Sequence, residues 1–425
     1  MKLVKTFGRG KAAAQALIEA LERRGSLNTS KVEKTVTAIV TDVRKRGDAG
    51  LRKYAVKFDG LAKDAALLVS RAEMKTAWEA TAPELQTAMR AAQGHIRAFA
   101  VMQRLKEWTV SPGPRGAFTV GQIVRPLESV GCYVPGGRYP LPSTLLMTVT
   151  PAQVAGVERI VVCSPKPARE TLAAAWLAGV GARTPEFYRV GGSQAVAAMA
   201  YGTESIARVN KIVGPGNLFV TAAKMMVSHD CGIDMPAGPT EIVVTSETGD
   251  ATGIAADLVA QAEHDPEALP VMITSNEKLA EAVKTEVKRQ AKGNAIALQS
   301  IAAQGCIFVM RSVAEARELT NRLAPEHLTV DAKADLKWVK NAGSVFVGNY
   351  SPQAMGDYIS GPNHVLPTGR VGRVRGGLSV MDFVKVITVQ QYSRKLLRAW
   401  GPHAIALAEA EGLNGHAQSV RVRMR

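Results

Sequence analysis

Four of the seven histidines in this 425-residue chain stand near side chains able to share a proton or a metal ion with them. Gln261-Ala262-Glu263-His264 closes a helix-like stretch, and a spacing of three puts Gln261 and His264 on one face. Glu326-His327 follows Ala324-Pro325 at the mouth of a short strand-like run. It pairs a carboxylate with an imidazole, the two groups best suited to proton transfer near neutral pH. Asp357 and His364 bracket a polar, glycine-bearing loop, and Glu411 and His416 lie just past a C-terminal helical stretch. His95, His229 and His403 read as ordinary surface or capping histidines. Together the first group offers imidazole, carboxylate and a side-chain amide, a donor set that suits zinc with positions left open for a substrate. A separate Glu-His pair is left for acid–base work. On residue types alone, a metal-dependent dehydrogenase and a metal hydrolase both stand open.

Elements of two kinds must position these groups. The opening third reads as helices: Ser30 with Glu33, and Ser70 with Glu73, have capping-box spacing ahead of stretches with helical apolar periodicity. The second of these stretches is interrupted near Pro83. Beyond residue 115, short runs rich in Val and Ile alternate with alanine-rich helical stretches, which predicts parallel sheets covered on both faces. The simplest account is two Rossmann-like α/β domains in tandem, over 115–235 and 236–380. They are preceded by an N-terminal helical segment, 1–114, partly packed on the second domain, and followed by a helical arm and basic tail, 381–425. In the first α/β half, Val134-Pro135-Gly136-Gly137, Gly191-Gly192-Ser193-Gln194 and Gly214-Pro215-Gly216-Asn217 fall after strands, where helix N-termini offer N–H groups to phosphates. Neither a G-x-G-x-x-G fingerprint nor a Walker A loop is present, so tight turns explain these glycines as well as a ligand does.

Charge is the unusual feature of the composition, 53 Lys+Arg against 37 Asp+Glu for a net +16. Ten of the cations and three acids lie between Thr368 and Arg425. A nucleic-acid surface calls for interleaved aromatics, a recognition helix or a zinc finger, and this stretch has none; the expectation is no nucleic-acid partner and a solvated basic face. Cys132, Cys163, Cys231 and Cys306 are far apart with no C-x-x-C pair, which argues against a disulfide scaffold or a zinc ribbon. No apolar run reaches 18 residues, and Glu19 and Glu22 interrupt the start of the chain. A cytoplasmic protein without a membrane partner is expected.

With the glycine loops, Asp234-Met235-Pro236-Ala237-Gly238-Pro239-Thr240-Glu241, Gln261-Ala262-Glu263-His264, Pro325-Glu326-His327-Leu328, Gly356-Asp357-Tyr358, Asn363-His364-Val365-Leu366-Pro367-Thr368 and Leu378-Ser379-Val380-Met381-Asp382-Phe383, the chain resembles the histidinol dehydrogenase family along nearly its whole length. The resemblance implies oxidation of L-histidinol through L-histidinal to L-histidine with two NAD, dependent on zinc, in the last steps of histidine biosynthesis. It implies Gln261, His264, Asp357 and His416 as metal ligands, with His416 reaching the site of the partner in an intertwined homodimer. It further implies Glu326 and His327 as the catalytic acid–base pair. Thr240, Gln261, His264, His327, Asp357, His364, Glu411 and His416 are implied on the substrate, and Tyr133, Gln194 and Asn217 on the dinucleotide. Thr240 departs from the Ser that many members carry, and Arg138-Tyr139-Pro140 varies beside Gly136-Gly137. Relatives that oxidise other polar alcohols, such as a sulfopropanediol, form the alternative reading, and retention of both Glu411 and His416 favours histidinol.

Overall fold

The computed structural model describes residues 1–24, 29–112, 118–136, 139–182 and 186–425. The expected alternation produces two parallel sheets. The first joins β4 (Ser129–Tyr133), β5 (Arg159–Cys163), β6 (Glu186–Tyr188), β7 (Lys211–Val213) and β8 (Gly232–Ile233) in the order β6-β5-β4-β7-β8. The second joins β9 (Glu241–Thr245), β10 (Leu269–Thr274), β11 (Cys306–Val309), β12 (His327–Val330) and β13 (Ser344–Val347) in the order β11-β10-β9-β12-β13. The orders are the same, so each sheet reverses direction at one point, between β4 and β7 and between β9 and β12.

Only the start of the 1–114 segment packs on the second sheet, and the segment is not all helix. Lys2–Lys5 is a strand, β1, not helix, and pairs in parallel with β11 at the edge of the second sheet. Helix α1 (Lys11–Arg23) follows it and buries Ile18 and Leu21 against that sheet's Phe308 and Val271. The larger part covers the first sheet. Helices α2 (Ser30–Arg46) and α3 (Asp48–Asp59) bury Val36, Ile39, Val43 and Leu51 on one of its faces. On the other face lie α4 (Arg71–Glu79) and α5 (Pro83–Met102), through Met74, Met89 and Ile96. Removing such an aliphatic side chain from water contributes about 1.5–3 kcal/mol, so the five-strand α/β unit depends on helices that precede it in sequence. Ser70 and Glu73 form the expected capping box, with Glu73 N–H donating to Ser70 Oγ at 3.2 Å. At α2 the expectation fails: Ser30 opens the helix, and Thr29 at the cap makes no side-chain bond.

Between the strands of the first sheet run α6 (Pro142–Ala155), α7 (Arg169–Leu177), α8 (Gly192–Tyr201) and α9 (Leu218–Val227). The second sheet has α10 (Ala251–Ala262), α11 (Glu277–Gln290), α12 (Ala295–Ala303), α13 (Val313–Leu323) and, after β13, α14 (Gln353–Tyr358). All four cysteines are free and buried, and burial pushes the Cys132 and Cys306 thiols up to about 12. They are core residues.

The segment read as a C-terminal helix and tail begins instead with a strand, β14 (Val384–Tyr392). It pairs antiparallel with β3 (Phe118–Pro126), which also pairs with β2 (Trp108–Val110). Helices α15 (Arg394–Ala410) and α16 (Asn414–Met424) then pack on each other as a hairpin. Several cations of this region are used within the chain: Arg375 grips Asp382 at 2.8 and 2.9 Å, and Arg373 donates to Arg322 O at 2.7 Å. No helix among the described residues is long and apolar enough to cross a membrane.

Candidate active site

The dinucleotide candidates meet at the carboxyl edge of the first sheet, where its direction reverses. Tyr133 ends β4, Gln194 lies in the first turn of α8 and Asn217 caps α9; all three line a cavity of about 540 Å³ with Phe58, Asp59, Gly136 and Phe219. The turns there need glycine. A Cβ on Gly136 would lie 1.8 Å from Pro165 O, and one on Gly214, at φ +112°, 2.1 Å from Tyr133 O. Lys224, wholly buried, pairs with Asp234 and donates to Gly214 O at 3.0 Å, while Asp234 accepts Gly214 N–H at 2.8 Å. The loop is thus clamped from both sides. Several of the N–H groups at these turns are already bonded within the chain. Asn217 accepts from Phe219 and Val220, Tyr133 OH from Gly192, and buried Asp59 from Gly191 and from the Gln194 amide. Burial raises the Asp59 carboxyl above its ordinary range against those two bonds. The cavity fits a dinucleotide through its size, its polar Gln194 and Asn217, and the half-exposed rings of Phe58 and Phe219. Gly137 and Arg138 lie outside the described residues.

The acid–base candidates sit at the opposite edge of the second sheet. Glu326 and His327 open β12, and Thr240 and Glu241 open the neighbouring β9, so this site is at the amino ends of its strands. Helix α10 returns to that edge and delivers Gln261 in its last turn. Glu326 Oε2 accepts Thr240 Oγ1 at 2.6 Å and Glu241 N–H at 2.8 Å. The Gln261 amide donates to Thr240 Oγ1. His327 Nδ1 lies 3.2 Å from Glu241 O, and Nε2 lies 3.6 Å from Asp357 Oδ1. The ring stacks on Phe346, centroids 6.0 Å apart. A cavity of about 400 Å³ opens beside it, lined by His327, Phe346, Asp357, Asn363 and His364.

Charges follow from this geometry. Burial works against a protonated His327, but Glu326 and Asp357 outweigh it and push the imidazole up to about 10. Burial would raise Asp357, yet the His327 imidazole 3.6 Å away and the nearby His364 and His264 hold it below the usual carboxylate range. Burial also pushes Glu241 up to about 7, with the Glu326 charge adding to the effect and the Gly369 N–H opposing it.

Among the described residues no three His, Cys, Asp or Glu side chains converge as a metal cluster. The chain instead supplies an amide, Gln261, with His264 and Asp357. Gln261 Oε1 is buried without a hydrogen-bond partner, its amide nitrogen being committed to Thr240. A buried orphan oxygen is costly unless something binds it, and an amide oxygen, a carboxylate and the imidazole of His264, which lies exposed just past the end of α10, are donor types that suit zinc. Glu411 and His416 are not brought in: both are exposed on the arm, and their side chains form no bond to this site. His364 is tied within the chain, Nδ1 to Asp357 O at 2.8 Å and Nε2 to Thr144 Oγ1 at 3.2 Å.

The histidinol dehydrogenase family model matches residues 22–424. The chain belongs to the histidinol dehydrogenase family. It is 44% identical over 422 residues to the histidinol dehydrogenase of Methanosarcina barkeri, covering 96% of each chain, and 44% identical over 423 residues to that of Bacillus cereus, again covering 96% of each. The crystal structure of histidinol dehydrogenase from Elizabethkingia anophelis superposes with a TM-score of 0.91 at 32% identity, covering 100% of this chain and 98% of that one.

Within this histidinol dehydrogenase fold, residues that sequence reasoning passed over do much of the positioning. Glu241 holds both Glu326 and His327, but with its backbone, so its side-chain type gave no signal. His95, read as an ordinary surface histidine, places Nδ1 2.7 Å from Ile359 O, next to the helix that bears Asp357. Asp59 and Thr144 bond residues 135 and 220 positions away, a separation at which no spacing rule applies.

Proposed function

We propose that this chain oxidises L-histidinol through L-histidinal to L-histidine, with zinc held by Gln261, His264, Asp357 and the His416 of a second copy. Zinc at these residues would orient the substrate and stabilise charge on its oxygen, and Tyr133, Gln194 and Asn217 would hold NAD, which would supply the hydride acceptor. The observation that carries the reading is the continuous set Gln261–Thr240–Glu326 and Glu241–His327–Asp357 at one sheet edge, in a chain of this family.

The neutral imidazole has a defined tautomer. Nδ1–H donates to Glu241 O, which leaves Nε2 as the basic nitrogen, and Nε2 is buried with no hydrogen-bond donor on it. As hydride leaves the carbinol carbon, the hydroxyl proton passes to His327 Nε2, giving the aldehyde. Asp357 would share its charge with a bound dication, and the His327 ring would then act as the neutral base. Both bonds to Glu326 fall on Oε2, leaving Oε1 to take a proton from the water that adds to the aldehyde. Loss of a second hydride, to a second NAD, together with a hydroxyl proton of the hydrate yields the carboxylic acid, which ionises.

The arm beyond β14 is exposed along Trp400, Leu407, Leu413 and Val422. An apolar face of this kind supports a homodimer in which each arm carries Glu411 and His416 to the other copy's site. The alternative, a family enzyme for another polar alcohol, separates from this reading in a substrate panel. Turnover with L-histidinol, and none with a sulfopropanediol or with the alcohol lacking its imidazole, is the expected result.

A further inference from the structure

We propose that Lys224 and Asp234 are positioning residues for the dinucleotide, selecting the one conformation of the Gly214–Asn217 turn that presents Asn217 to the first-sheet cavity. The proposal rests on the reading of that cavity as the dinucleotide site. By itself the turn has wide freedom, since Gly214 and Gly216 flank Pro215 and glycine reaches conformations closed to other residues. Gly214 sits at φ +112°, and a Cβ there would lie 2.1 Å from Tyr133 O, so the end of β7 is pressed against the end of β4. An outside contact must hold it there.

Lys224 and Asp234 provide that contact. Asp234 follows β8, and Lys224 lies on α9, the helix that Asn217 caps. Their side chains are buried and paired with each other. Both backbone polar groups of Gly214 go to this pair: its N–H donates to Asp234 Oδ2 at 2.8 Å, and its C=O accepts from Lys224 Nζ at 3.0 Å. The other carboxylate oxygen accepts Met235 N–H at 2.6 Å as well as Lys224 Nζ. A buried pair of opposite charges is weak evidence for stability, because apolar side chains of the same volume often do as well. Here the pair gives one glycine both an acceptor and a donor, which apolar side chains could not. Asn217 closes the turn. Its Oδ1 takes the N–H groups of Phe219 and Val220, which leaves the Nδ2 amide to donate to a ligand in the cavity. A turn fixed in advance spares the dinucleotide the entropic cost of ordering it.

The test uses the full-length zinc-loaded protein and measures the NADH dissociation constant by fluorescence, the melting temperature, the zinc content and KM for L-histidinol. Lys224→Met removes the donor to Gly214 O and leaves the Asp234 carboxylate buried without its partner, so the melting temperature should fall. Lys224→Met/Asp234→Asn also removes that stranded charge, and the melting temperature should rise again toward the parent. NADH binding should weaken roughly 10-fold in both, about the cost of ordering the backbone of one residue on binding. Zinc content and KM for L-histidinol should stay within about twofold of the parent. Phe308→Leu, in the core of the second sheet, is the stability control and should lower the melting temperature with NADH affinity unchanged. Parent-like NADH affinity in both Lys224 variants would overturn the proposal. So would recovery of NADH affinity together with melting temperature in the double variant, or equal weakening in Phe308→Leu, since the pair would then act through stability alone. Asn217→Asp keeps the cap and removes the Nδ2 donor; parent-like NADH affinity there overturns the reading of the cavity itself, an outcome separate from the others.

Discussion

Thr240 Oγ1 donates to Glu326 Oε2 at 2.6 Å while accepting the side-chain amide of Gln261. One hydroxyl thus fixes Glu326 and turns the Gln261 amide so that its oxygen is left unbonded. Thr240→Ser keeps both bonds and should retain zinc and turnover. Thr240→Val leaves the Gln261 amide and Glu326 each short of a partner, about 1–3 kcal/mol for each buried group. Metal content after dialysis and kcat/KM should both fall for Val and hold for Ser.

His327 and His264 are both imidazoles near Asp357, but their proposed duties differ. His327→Asn should lower kcat by about 10²- to 10⁴-fold, the usual worth of a general base, with zinc content nearly intact. His264→Asn should lose zinc. Metal analysis beside steady-state kinetics checks this, and the reverse pattern would mean that the two roles are exchanged.

Glu326→Gln keeps an acceptor for Thr240 and the Glu241 N–H but removes the basic oxygen. Oxidation of L-histidinal should therefore suffer more than oxidation of L-histidinol. Single-turnover measurements started from each compound separate the two half-reactions, and equal losses would remove Glu326 from the water-activating role.

Glu241 gives a pH prediction whose sign can be worked out. Its carboxyl is raised to about 7 in the folded chain, so between about pH 4.5 and 7 the folded state holds a proton that the unfolded state has lost. Its contribution to stability is present below that window and disappears as pH rises through 7. Glu241→Gln retains an acceptor for Gly369 N–H and has nothing to ionise. Relative to the parent, its melting temperature should improve as pH goes from 5 to 8, and a constant difference would contradict the assignment.

The two parallel sheets were legible because Val- and Ile-rich runs such as Arg159–Cys163 and Glu241–Thr245 are bounded by glycine, proline and helical stretches. The capping box at Ser70 and Glu73 was legible because it is local. Lys2–Lys5 was not, since four residues with a lysine at each end become a strand only by pairing with β11, some 300 positions away. Val384–Tyr392 was missed because its partner, Phe118–Pro126, lies far upstream and most of β14 faces outward. The general rule that ligands lie at the carboxyl ends of parallel strands placed the glycine loops at the first sheet. It gave no warning that Glu326, His327, Thr240 and Gln261 gather at the amino ends of the second. Residue types suggested a metal and an acid–base pair, and the family resemblance grouped them; Glu241 escaped because its backbone does the holding.

Zinc-dependent four-electron oxidation of L-histidinol is checked by counting NADH formed per L-histidinol consumed, in the intact protein, after chelation, and after zinc is returned. Two NADH per substrate, loss of turnover on chelation and recovery with zinc are expected. No NADH at any zinc level would contradict it, as would a yield of one with L-histidinal accumulating.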